Sequence, residues 1–340
     1  MGRAVTLKDV ARALNISAST VARALADSSQ ISLETKTRVR HTATELGYVV
    51  HSAARAMRLG HSTLIGLIIP DVKNEFYGTL AKALAQCCDA AGFQLVLAIT
   101  EDDAESELRQ VRALSEARAA GMVIVPSPSP KRETLALLSR APCAELIRRL
   151  DGFEGAWFGI DEEEALRQAT RHLIDLGHRR IAYVGGTPNL STGRSRFAGY
   201  EQAFAEAKLP MLRELVYLGR PRAAFASQVF ERLWSAPARP TAIVTAGARL
   251  TAGVLEAITR LAVRVPEEIS VVGYGDVPVW GVGLTTISLP VREIALACGE
   301  YLLRRIREGD RDIDETSTAP YHAIHAPTLT VRASTAPPRH

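Results

Sequence analysis

The sequence predicts an α/β protein with a three-helix N-terminal head and a two-lobed, doubly wound parallel-sheet core. Three observations predict it. No strand pattern occurs before residue 63, whereas three short amphipathic stretches do. From residue 63 onward, apolar runs of strand length alternate with amphipathic stretches of helix length, the mark of parallel sheets covered on both faces. The 340 residues exceed what one compact core usually holds.

The head comes first. Thr6 is placed to cap a helix carrying Leu7, Val10, Ala11 and Leu14, one helical face. Asn15-Ile16 breaks that pattern. Ser17 can cap a second helix with Val21, Ala24 and Leu25 on one side, and Ser32 a third with Val39, Ala43 and Leu46 inward and Gly47 as its stop. Residues 50–62, with HSAARAMRLGHS, are small and basic. They read as a linker, too short for a stable helix alone, that could become helical when held against something.

In the core, strands are expected at 64–69, 94–99, 122–125, 156–160, 180–184, 242–245 and 270–273. Helices are expected at 78–91, 105–119, 163–176, 196–207, 227–235, 250–261 and 294–308. About four units precede Ile160 and four follow, which predicts two lobes with a cleft where strand C-termini meet. The tail from Ser334 to His340 is expected to be disordered.

Composition narrows the function. Charged residues make up 23% and hydrophobic residues 47%, ordinary values for a globular chain. No apolar run is long enough to span a membrane and no secretory leader is visible, so a cytoplasmic location is expected. Cys87, Cys88, Cys143 and Cys298 show no metal-ligand or disulfide spacing; Cys87-Cys88 reads as packing or dimer interface. His172 and His178 have no ligand spacing, and Gly185-Gly186 lacks the Lys-Ser/Thr of a phosphate loop. No nucleophile–base constellation is visible, so no catalytic residue, metal or cofactor is expected. The net charge of +4 is unevenly placed: +5 falls on the first 62 residues and −1 on the rest. That points to a polyanion-binding head.

The stretch VTLKDVARALNISASTVARALA, Val5 to Ala26, has the helix-turn-helix pattern. The start of its second helix must be small or polar to enter a major groove, and Ala18, Ser19 and Thr20 meet that need. Arg23, one turn on, can reach a guanine edge or a phosphate.

These residues, followed by the Ile31–Tyr48 pattern with its ELGY end, resemble the DNA-binding head of the lactose-repressor (LacI/GalR) family. The resemblance continues through HSAARAMRLGHSTLIGLIIPD, HLIDLGHRRIAYVGG with RFAGYEQAF, ISVVGYGD, LTTISLP and LTVRAST. It implies a head over 1–49, a hinge over 50–62 and a core over 63–340 resembling periplasmic sugar-binding proteins. Lobe 1 would span about 63–161 plus 291–322, lobe 2 about 162–290 plus 323–333, with 334–340 as tail. The family pattern places Ala18, Ser19 and Arg23 at base-reading positions and Thr6, Ser17, Thr20, Ser32 and Thr35 at phosphate or capping positions. It places Ala54, Arg55, Met57 and Arg58 in the hinge, with Met57 as the apolar wedge between base steps. Positions matching its effector pocket are Asp71, Phe76, Ser127, Asp161, Arg194, Arg196 and Asp276, with Arg196 foremost.

The resemblance implies a homodimeric repressor on a pseudo-palindromic operator under the control of a small effector. The competing expectation is a sugar-binding protein without ligand-controlled DNA release. Departures from the family pattern sharpen the effector. Gly247-Ala248 and Gly275 stand where an Asn and carboxylates are usual, and Arg194, Arg196, Arg220, Arg222 and Arg249 fall in segments that could rim the cleft. A carboxylate repels an anion and a glycine does not, so a sugar acid is the first expectation, with a neutral sugar or a pocket that binds little as the alternatives. The GYGD pattern also resembles the gluconate-type branch of the family.

Overall fold

The computed structural model describes residues 5–25, 27–48, 62–275, 283–308 and 321–339. The chain divides into two compact units, Met1–Ser62 and Thr63–His340.

In the first unit α1 spans Leu7–Leu14, α2 Ala18–Leu25 and α3 Leu33–Glu45. Their starts follow from the side chains that meet otherwise unpaired backbone groups. The Thr6 N–H and hydroxyl both donate to the Asp9 carboxylate, at 2.9 and 2.6 Å. Ser17 Oγ accepts the Thr20 N–H at 3.0 Å, and Ser32 Oγ accepts that of Thr35 at 3.3 Å. Asn15 ends α1 in the left-handed region, which Asn tolerates. Val10, Ala11, Val21, Ala24, Val39 and Ala43 form the small core. Leu46 is not among them. It is the C-cap of α3 and remains 39% exposed, because the helical face it was counted on ends at Glu45.

The second unit holds two six-stranded sheets. The first is ordered β11-β5-β4-β3-β1-β2, from β1 Leu64–Ile69, β2 Gln94–Ile99, β3 Gly121–Ile124, β4 Cys143–Leu146, β5 Ala156–Ile160 and β11 His322–His325. The second is ordered β12-β10-β9-β8-β6-β7, from β6 Ile181–Gly186, β7 Val216–Gly219, β8 Ala242–Thr245, β9 Ser270–Tyr274, β10 Thr285–Ser288 and β12 Thr328–Thr330. Neighbouring strands run parallel except β12, which is antiparallel to β10. The helices are α4 Glu75–Ala90, α5 Ala104–Glu116, α6 Arg132–Leu138, α7 Glu162–Asp175, α8 Ser191–Glu206, α9 Ala223–Ser235, α10 Ala248–Arg260 and α11 Val291–Glu308. The apolar runs of β1, β5 and β8 are buried because helices cover both sheet faces. Cys88 and Cys298 pack in the first-lobe core, consistent with a packing role for the α4 cysteine pair.

Three expectations are corrected. Most helices begin earlier than the apolar periodicity indicates; α8 starts at Ser191 rather than Arg196. The last crossing between lobes falls after His325, because His322–His325 pairs with Trp157–Ile160 in the first sheet. The tail is docked rather than disordered. Ser334 is fully buried, its Oγ donating to Val271 O at 2.7 Å and accepting the Thr285 N–H at 2.8 Å. Ala336 O accepts from Ser270 Oγ at 3.0 Å and lies 2.9 Å from His178 Nε2.

Candidate effector cleft and DNA-facing head

A cavity of about 560 Å³ opens between the two sheets of the second unit. Strand C-termini and helix N-termini converge there, as they do in open parallel sheets generally. The first lobe contributes Asp71, Phe76, Tyr77, Asp102 and Arg148; the second contributes Leu190, Arg196, Gly247, Arg249 and Gly275. Arg292, from the first turn of α11, also lines it.

Of the residues singled out from sequence, Asp71, Phe76 and Arg196 line this cavity, as do Gly247, Ala248, Arg249 and Gly275. Asp71 accepts the Lys73 N–H at 2.8 Å, and its other oxygen lies 3.9 Å from Arg249 Nε across the cleft. Phe76 stands edge-on to Tyr77, centroids 5.3 Å apart, with room for a ligand beside it.

Arg196 is held tightly. Its Nε and Nη2 donate to Glu162 at 2.7 and 2.6 Å, and its Nη1 to Ala246 O at 3.0 Å. Its guanidinium sits 4.1 Å above the Tyr274 ring, and the Tyr274 hydroxyl donates to Glu162. Burial alone would lower the Arg196 pKa, but the Glu162 carboxylate outweighs it and holds the arginine charged.

The other expected pocket residues are placed elsewhere. Ser127 is buried and bound by N–H and hydroxyl to Glu107, at 2.6 and 2.9 Å. Burial raises the Glu107 carboxyl, while the two Ser127 bonds oppose that rise. Asp161 is the N-cap of α7 and accepts the Glu164 N–H at 3.0 Å. Arg194 points outward, to Pro188 O at 3.0 Å and Asp151 at 3.7 Å. Arg220 and Arg222 flank Pro221, which lines the cleft, but they do not line it themselves. Asp276 lies outside the described residues.

Sequence reasoning missed Tyr77, Asp102, Arg148 and Arg292. For Arg148 a signal existed: it follows the C-terminal end of β4, where ligands gather, but CAEL carries no clear strand pattern. No group of His, Cys, Asp and Glu among the described residues is arranged to hold a metal. No helix among them is long and apolar enough to cross a membrane.

In the head, Ser17 and Ser19 at the start of α2 and Arg23 in its last turn are exposed to solvent. Ser17 Oγ lies 2.7 Å from Ser19 Oγ and 2.8 Å from Thr20 Oγ1, a compact hydroxyl cluster of the kind that meets phosphate oxygens. Ser32 and Thr35 form a second hydroxyl pair at 2.9 Å. Ala18 is half-buried against the head core. Thr6 is committed to Asp9. Ala54, Arg55, Met57 and Arg58 lie outside the described residues.

A helix-turn-helix unit joined in one chain to a two-lobed cleft defines a class, the DNA-binding regulators built on a periplasmic-binding-protein core. Comparison with known proteins places the chain within it. Residues 6–50 match the model for bacterial regulatory proteins of the lacI family, and residues 170–335 match a periplasmic binding protein-like domain. The chain is 30% identical over 302 residues to the HTH-type transcriptional regulator GalR of Salmonella typhimurium, covering 88% of each. It is 29% identical over 317 residues to the ribose operon repressor of Escherichia coli, covering 89% of this chain and 93% of the relative. Among solved structures, the lac repressor dimer bound to operator shares the fold, with a TM-score of 0.83, 23% identity and coverage of 98% and 100%. The chain belongs to the lacI family of bacterial regulatory proteins: it is a DNA-binding transcriptional regulator, and its relatives are regulators rather than enzymes.

Proposed function

We propose that this chain represses transcription as a homodimer on a pseudo-palindromic operator, and that a sugar acid bound in the cleft sets operator affinity. One observation carries the effector reading: the cleft lining sets five cations, Lys73, Arg148, Arg196, Arg249 and Arg292, against the carboxylates Asp71, Glu75, Asp102 and Glu293, and has glycine at 247 and 275. Arg148 and Arg249 lie on its walls, and the first turns of α8 and α10 line it with no side-chain cap at Leu190 or Gly247. Uncapped N–H groups and the helix dipole favour an anion. Gly247 and Gly275 offer no carboxylate to oppose it. Phe76 supplies a flat apolar face for a sugar ring.

The dimer reading is supported by β2. It is an edge strand, yet Val96, Leu97 and Ile99 are exposed on it. An apolar edge of this kind invites a second copy. Ligand binding that favours one angle between the lobes changes the spacing of two paired 50–62 segments and hence operator affinity, a linkage effect. Met57 is the residue proposed to wedge between base steps.

Thermal unfolding of the purified protein against aldonates, uronates, neutral sugars and purines tests the effector. A ligand at about 100 times its Kd adds roughly 2.7 kcal/mol to folded-state stability. Shifts with sugar acids support the proposal, and shifts with neutral sugars or purines alone reject it. A second reading, a neutral sugar, is favoured by the pairing of Arg148 with Asp102 and of Arg196 with Glu162, which leaves both arginines charge-balanced.

A further inference from the structure

The cleft holds one buried arginine, Arg148, and one half-buried, Arg196, and they present opposite faces of the same chemistry. A guanidinium offers two parallel N–H vectors along its Nε–Nη2 edge, the edge that fits a carboxylate with two bonds. On Arg196 that edge is already filled, by both oxygens of Glu162. On Arg148 it is open. Its contacts to Asp102 and to Pro126 O are both made by Nη1. Nε and Nη2 have no protein acceptor among the described residues, and neither is a sealed, orphaned donor. Arg148 itself is only 6% exposed and lines the cavity.

The backbone that delivers Arg148 is unusual. Ile147, immediately before it, has φ of +64°, a left-handed conformation that a β-branched residue adopts only under constraint. The constraint is visible: the Ile147 N–H donates to Phe158 O at 2.8 Å, and its carbonyl accepts Trp157 Nε1 at 3.3 Å. Asp102, the partner that fixes the guanidinium, also lies in the left-handed region, at φ +61°. Strain held in this way on both sides of one ion pair is characteristic of ligand-holding positions.

We infer that Arg148, not Arg196, grips the effector's carboxylate, through its Nε–Nη2 edge, with Asp102 fixing the orientation of the guanidinium. Arg196, closed by Glu162, has only its remaining N–H groups for hydroxyls. This deepens the sugar-acid reading and rests on it: the first-lobe arginine selects the acid from the corresponding alcohol.

The experiment is calorimetric titration of the full chain with gluconate and with glucitol, a six-carbon acid and its neutral alcohol. Wild type, Arg148→Met and Arg148→Lys are compared, with folding of each checked by circular dichroism and thermal unfolding. Wild type is expected to prefer the acid at least tenfold. Arg148→Met is expected to abolish the preference, its gluconate affinity falling at least tenfold to the level of its glucitol affinity. Arg148→Lys keeps the charge and the Asp102 pair but loses the fork, and is expected to keep only part of the preference. If Arg148→Met is unfolded, the lysine variant decides alone: a full wild-type preference overturns the assignment. A preference surviving in a folded Arg148→Met also overturns it but leaves the sugar-acid reading intact. A wild-type protein that does not prefer the acid overturns both.

Discussion

Glu162 and Arg196 form a two-bond ion pair beneath the cleft, with side chains 4% and 14% exposed. Each charge is tolerable there only because of the other. Removing one partner of such a pair typically costs about 3–5 kcal/mol. Glu162→Ala is therefore expected to destabilise the second lobe by about that much, read as a fall in the denaturant midpoint without a change in slope. A change near zero would mean that water reaches Arg196.

Gly199, within the RFAGY segment, faces α7 so closely that a Cβ there would lie 2.0 Å from Glu163 O. The atom it would meet is backbone and cannot swing away. Gly199→Ala is expected to lose at least about 1–3 kcal/mol to overpacking, measurable by thermal unfolding.

Burial pushes the Glu145 carboxyl up to about 7, against an ordinary value of 4.5. The folded chain holds this proton more tightly than the unfolded chain does. The stability it contributes is complete below about pH 4.5 and is lost as pH rises through about 7. Glu145→Gln, which keeps an oxygen for the Leu150 N–H, is expected to match wild type near pH 4.5 and to exceed it by about 1–3 kcal/mol at pH 8. Parallel curves across that range would reject the buried-acid account.

Ser334→Ala leaves the Thr285 N–H without its acceptor in a sealed site. An orphaned buried donor costs about 1–3 kcal/mol. Hydrogen exchange at the Thr285 amide is expected to accelerate correspondingly, and unchanged protection would show the tail to be dispensable.

In the head, exposed Arg23 is proposed to read base edges and the Ser17–Ser19–Thr20 hydroxyls to meet phosphates. Arg23→Ala is expected to cost about 1–3 kcal/mol on operator DNA and less on random DNA. An equal loss on both would reassign it to phosphate contact.

Much of the fold was legible because the residues speak locally. LIGLII, a six-residue apolar run, is a strand whose side chains are nearly all buried, and the caps at Ser17 and Ser32 are where their helices start. β4 was hidden because its four residues include Glu145, a buried acid whose backbone partner lies five residues on. β10, TTIS, was hidden because its hydroxyls find acceptors only in the folded sheet, as Thr286 does at Gly275 O. The site was half legible for a related reason. Ser127 and Asp161 do follow strand ends, as ligand-binding residues do, but Glu107 claims the first and the start of α7 claims the second. Those claims are tertiary, or depend on which residue begins a helix, and neither is written in the spacing.

The arrangement of β11 and β12 bears on how the molecule is made. Each strand is the outermost member of a different sheet, β11 against β5 and β12 against β10, and both arise from one short stretch near the C-terminus. A growing polypeptide therefore leaves the ribosome with both lobes unfinished until some 330 residues have been joined. A message cut short before His322 would leave β5 and β10 each without the strand that pairs with it, in both lobes rather than one. Both sheets thus receive their last strand only when synthesis is almost finished.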